Sequence, residues 1–208
     1  MSDLLAFARL GFRHIVDPSA LDHILFLVAL AAIYRPRDWR DALWVVSAFT
    51  VGHSATLALA ATDAIAVNER LVEFLIPLTI VATAVENVVV RDRATTPRAW
   101  RYRPLLAGVF GLVHGAGFAG YLKSLFLQSI VVPLLGFNVG IEVGQIVVLS
   151  GVAVVLAGVD ALLRRTAPRA ERPHDMLHAT PLLRLRVVAL SAVIGLVAAA
   201  WAVERRPW

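Results

Sequence analysis

Ionisable and amide side chains recur inside stretches of this chain that are otherwise apolar. Residues 112–120 read LVHGAGFAG and set His114 among glycine, alanine and aliphatic residues. Asp22 and His23 stand in LDHILFL, His53 and Ser54 in FTVGHSATL, Glu86 and Asn87 in LTIVATAVEN, and Asn138, Glu142 and Gln145 in GFNVGIEVGQ. Imidazole nitrogens suit Ni, Co and Zn, and added carboxylates keep such a site borderline-hard. A soft Cu(I) site is disfavoured, because cysteine is absent and neither Met1 nor Met176 lies in an apolar run. The residues expected to bind a divalent transition metal are Asp22, His23, His53, His114 and Glu142. His14, Ser54, Glu86, Asn87, Asn138 and Gln145 are expected to orient those ligands or to line a path to them. Ligand identity does not separate Ni from Co or Zn.

Helical spacing puts these residues on shared faces. Thr50, His53 and Ser54 fall at i, i+3 and i+4; Thr79, Thr83, Glu86 and Asn87 at i, i+4, i+7 and i+8; Asn138, Glu142 and Gln145 at i, i+4 and i+7. Thr50, Thr79 and Thr83 are expected to bond back to helix carbonyls and pack. Gly136, Gly140 and Gly144 form a second stripe behind Asn138 and Glu142, and Gly111 and Gly115 flank His114. Small residues four apart let helices approach closely.

Three functions fit this pattern. A ladder of polar groups across a membrane suits a transporter. A metal with one open position suits a hydrolase, with Glu142 as general base and His53 as ligand or acid. A metal-sensing or assembly accessory role is the third. His174 and His178, in HDMLH, are expected to be solvated loop residues.

The elements that must position these groups follow from composition. Hydrophobic residues make up 59% and charged residues 17% of the 208, and mean hydropathy is +0.73. Runs of about 17–25 apolar residues read as membrane-crossing helices. They lie at about Pro18–Tyr34, Ala42–Ala61, Leu71–Val90, Leu105–Leu125, Ile130–Leu163 and Leu185–Val203. The expected fold is all-α, a polytopic membrane helix bundle of about six transmembrane helices, forming one integral membrane domain over 1–208. Leu4–Val16 is too short to span and carries Arg9, Arg13 and His14, so it reads as an interfacial or re-entrant segment. Asp17 is expected to cap the first span and Pro18 to open it. The start, MSD, lacks the basic region of a signal peptide. Asp22 and His23 are expected near the outer surface, His53, His114 and Glu142 near the middle, and Glu86 and Asn87 towards the cytoplasm.

Charge asymmetry gives orientation. Of the 20 Lys and Arg, most lie in 35–40, 91–103 and 164–186, after the first, third and fifth spans. The positive-inside rule puts these connections in the cytoplasm and both termini outside. An anionic lipid surface is sufficient partner for this basic charge, and nucleic acid is not required. The oligomeric state is not legible.

Taken together, DHILFL (22–27), FTVGHSATLALA (49–60), the Glu86–Asn87 pair, FGLVHGAGFA (110–119) and FNVGIEVGQ (137–145) are specific. On these motifs the chain resembles the HupE/UreJ family of small bacterial membrane proteins. The resemblance implies a six-to-seven-helix protein of the bacterial inner membrane, associated with hydrogenase and urease maturation and assigned as a nickel or cobalt permease. It also implies metal binding at the positions of His14, Asp22, His23 and His114.

Overall fold

The computed structural model describes residues 2–18, 20–35, 38–90, 97–125, 130–166 and 181–208. Among them the regular structure is helical: α1 (Ser2–Val16), α2 (Leu21–Ala31), α3 (Trp39–Ala61), α4 (Glu69–Val89), α5 (Pro97–Leu125), α6 (Val131–Thr166) and α7 (Pro181–Glu204). The fold is a polytopic helical bundle. Helices α3 to α7 are each long and apolar enough to cross a bilayer. His174, His178, Met176 and much of the arginine-rich connections lie outside the described residues.

The first crossing differs from an unbroken helix over Pro18–Tyr34. Helix α2 has 11 residues, about 16 Å at helical rise, roughly half a hydrocarbon core. Helix α1 precedes it at a 70° bend, and the pair is long and apolar enough for one broken span or a re-entrant loop. The bend follows from Pro18, which disfavours helical backbone at the residue before it. Asp17 therefore closes α1, its amide donating to the Arg13 carbonyl at 2.9 Å. It does not cap the next helix. Ala20 takes the cap position of α2 without a side-chain hydrogen bond.

Glycine governs which helices pair. A Cβ at Gly136 would stand 2.5 Å from the Leu4 carbonyl oxygen, and one at Gly140 would overlap that of Ala8. The stripe on α6 is thus filled by α1, which runs parallel to it from the same end. A second seam joins α3 to α5. Cβ atoms at Gly52, Gly111 and Gly115 would overlap the carbonyls of Gly108, Phe49 and His53 respectively. Backbone contact of this kind is available only where one helix presents no side chain at the crossing. Helix α4 packs on α7, with Gly195 against Ala84, and starts at Asn68, whose side chain accepts from the Leu71 amide at 3.2 Å.

The outward faces are apolar. Val154 is 73% and Leu196 72% exposed, as expected where the surrounding solvent is lipid. The core between the pairs is built on Phe26, Phe49, Phe137, Leu57, Ile80 and Ile141. It surrounds the buried histidines.

A candidate metal centre built by four helices

Three imidazoles converge in that core. His14 of α1, His23 of α2 and His53 of α3 each offer a nitrogen, and these atoms lie within 4.8 Å of one another. Ring centres are 4.5 Å apart for His14 and His23, and 6.3 Å for His23 and His53. His114 of α5 adjoins them, 5.2 Å from His23. The bend between α1 and α2 makes this possible. Helix α2 starts beside the end of α7, where Arg205 stands 3.9 Å from Asp22, and so brings His23 next to His53 and His114.

Aromatic rings enclose the group. Phe118 lies 4.0 Å from His14, Phe137 6.4 Å from His53, and Phe26 and Phe49 each 5.2 Å from His114. The donors suit an ion in this dry setting. Nε2 of His23, both nitrogens of His53, Nε2 of His14 and Nδ1 of His114 are buried without a hydrogen-bond partner. A buried polar nitrogen left unbonded costs about 1–3 kcal/mol, and the orphans here are clustered. Nitrogens at about 2.0–2.1 Å from one ion need only a modest closure of these rings.

His114 has its tautomer set by a hydroxyl. Thr79 Oγ1 donates to the Ile76 carbonyl at 2.7 Å and lies 2.9 Å from His114 Nε2. One hydroxyl has one proton, so the Thr79 oxygen accepts from Nε2–H. The lone pair of His114 then sits on the orphaned Nδ1. Asp22 plays a comparable part at His23. Its Oδ1 accepts the His23 amide at 3.0 Å and faces Nδ1 at 3.3 Å, while Oδ2 stands 3.9 Å from Arg205.

The remaining candidates lie elsewhere. Glu142 does not join the histidine group. It stands 3.5 Å from Ser47 Oγ and lines a cavity of about 620 Å³ between α3 and α6 with Thr50, Ser54 and Asn138. The residue lies on the α6 face that meets α3, whereas Phe137 and Ile141 face inward. Ser54 donates to the Thr50 carbonyl at 2.6 Å. Thr50 donates to Gln145 at 2.9 Å and ties α3 to α6. Glu86 and Asn87 meet Arg103 at the opposite end of the bundle.

Thr79 bonds back to a helix carbonyl as expected, but its contact to His114 and the contacts of Arg103 and Arg205 were not singled out from sequence. Arg103 had a detectable signal: it precedes His114 by three helical turns, hence on the same face. Thr79 shares the face of Glu86 and Asn87.

A family model described as HupE / UreJ protein matches residues 1–205. No curated protein and no solved structure matches the chain.

Proposed function

The chain belongs to the HupE/UreJ family, and on that premise we propose that it is a permease for a divalent transition metal, of the nickel or cobalt kind, in the bacterial cytoplasmic membrane. The observation that carries this is the convergence of His14, His23 and His53 within 4.8 Å, with orphaned nitrogens, in a core that lipid-facing helices surround.

The histidines would take the ion in the outer half of the bilayer, with His114 as a fourth donor or the next station. Asp22, adjoining the group, would hold His23 in register and attract cations. From His114 a buried polar face on α4, Thr79, Thr83 and Asn87, leads towards Glu86. Entry along this line would run with the membrane potential, worth about 2.3 kcal/mol per charge per 100 mV. Both termini would lie outside, and residues 1–208 would act as one membrane domain.

The hydrolase reading draws less support. Its base, Glu142, faces Ser47 Oγ and stands outside the histidine group. The permease reading is tested by nickel uptake into liposomes holding the purified protein. Uptake that rises with an inside-negative potential and is lost in His53→Ala supports it. Stoichiometric binding without uptake refutes transport.

A further inference from the structure

A buried charge cluster closes the end of the bundle opposite the histidines. Arg103 is 3% exposed. Its Nη1 lies 3.6 Å from Glu86 Oε2, and its Nη2 donates to Asn87 Oδ1 at 3.2 Å. Its guanidinium carbon stands 5.4 Å from the centre of the Tyr34 ring. Asn87 also donates to the Ala29 carbonyl at 2.6 Å and to Ser191 Oγ at 3.3 Å. One guanidinium thus ties α5 to α4 and, through Asn87, to α2 and α7.

The pair is not a tight fork. Charge-assisted N–H···O bonds have lengths of about 2.7–2.9 Å, shorter than the 3.6 Å here. Glu86 Oε1 is buried with no hydrogen-bond partner. One carboxylate oxygen therefore faces a cation at loose range, and the other has no hydrogen-bond partner among the described residues.

Position gives the cluster its meaning. Thr79, Thr83 and Asn87 run as a buried face along α4 from the His114 contact to the Arg103 contact. Arg103 lies about 16 Å along α5 from His114. An ion leaving the histidines along this face meets a carboxylate already held by a cation. Arg184 and Arg186 serve other ends. Arg184 caps the α4 carbonyls of Asn87, Val88 and Val90, and Arg186 pairs with Asp160 at 3.1 Å and donates to the Ala32 carbonyl. Pro104 follows Arg103 inside α5. It has no amide for the carbonyl four residues back, so the helix is weakest where Arg103 must move.

We propose that Arg103 is the inward gate of the permease, a tethered cation that occupies Glu86 and is displaced when a metal ion arrives there. The proposal rests on the permease reading. The closed gate keeps Glu86 neutralised and stops leakage. Exchange of guanidinium for metal at one carboxylate opens the end only when cargo is present.

The chain has no cysteine, so Thr83→Cys places a single thiol between the histidines and the gate. The protein is reconstituted in liposomes. Two rates are read: maleimide labelling from the Arg103 side, and flux of Ni²⁺ down its gradient. Adding Arg103→Gln should raise labelling on the order of tenfold, as for a modest two-state coupling, and increase Ni²⁺ leak. Glu86→Gln, which releases the same guanidinium, should also raise labelling but should lower Ni²⁺ flux. Opposite effects on flux from the two halves of one ion pair are the signature of a gate. Unchanged labelling in Arg103→Gln, or flux moving the same way in both variants, makes the pair a structural tie and overturns the proposal. If Arg103→Gln fails to fold, Arg103→Lys decides: labelling faster than in the Thr83→Cys parent is expected, and labelling at the parent's rate counts against the gate. Absence of Ni²⁺ flux in the wild type counts against the permease, while the labelling rates still decide whether Arg103 closes this end.

Discussion

Thr79 and His114 show how a single hydroxyl can set which nitrogen of a buried imidazole carries the proton. The Thr79 proton is committed to the Ile76 carbonyl, so His114 must give Nε2–H to the Thr79 oxygen and keep its lone pair on Nδ1. Thr79→Val should therefore weaken nickel binding about 10–100-fold, the usual scale for losing a ligand-orienting partner, and Thr79→Ser should restore it. Titration calorimetry at fixed pH measures both. Ligation needs neutral imidazoles, so acid should weaken binding and should not strengthen it. The same affinity measured in a pH series checks the sign. His23, His53 and His114 are legible in the sequence because an imidazole in an apolar run has few other reasons to be there. His14 reads only as an orienting or path residue, since its segment looks interfacial, yet its ring lies 4.5 Å from that of His23. Glu142 reads as a ligand from its spacing to Asn138 and Gln145. Spacing gives the face a residue occupies but not the helix that face meets, and the face meets α3 at Ser47.

The same limit operates on helices. The glycines of α6 are visible as a stripe, and a stripe implies a close neighbour. That the neighbour is α1 could not be read, because α1 lacks the length of a span and carries Arg9 and Arg13. The α1–α6 seam makes a testable demand. Gly140→Val puts carbon where the Ala8 carbonyl stands, and overpacking of this kind costs typically 1–3 kcal/mol. Helix α1 should lift from α6 and take His14 with it. Thermal unfolding in detergent should shift downwards, and metal binding should weaken while the His23 and His53 contacts survive. Gly151→Val, at a glycine with open space around it, is the matched control and should change neither. The boundaries of α3, α4 and α7 were close to legible from apolar runs alone. The break between Val16 and Pro18 was legible, but the next helix opens at Leu21 and not at Pro18, since proline ends helices as readily as it opens them.

At the scale of the molecule, the proposed direction rests on the excess of Arg in the connections after the first, third and fifth spans read from sequence. Reporter fusions at Ala94 and Ala170 should report cytoplasm, and a fusion after Trp208 should report the outer side. A cytoplasmic carboxyl terminus would invert the direction assigned to the path. The claim on which the rest depends is that helices α1, α2 and α3 deliver three imidazoles to one ion. X-ray absorption at the nickel edge of the metal-loaded protein tests it most directly, with His53→Ala measured beside the wild type. The account predicts a first shell containing at least three imidazole nitrogens in the wild type, and loss of stoichiometric nickel from a His53→Ala variant that remains folded. A shell without imidazole scattering, or full nickel occupancy in folded His53→Ala, would contradict it.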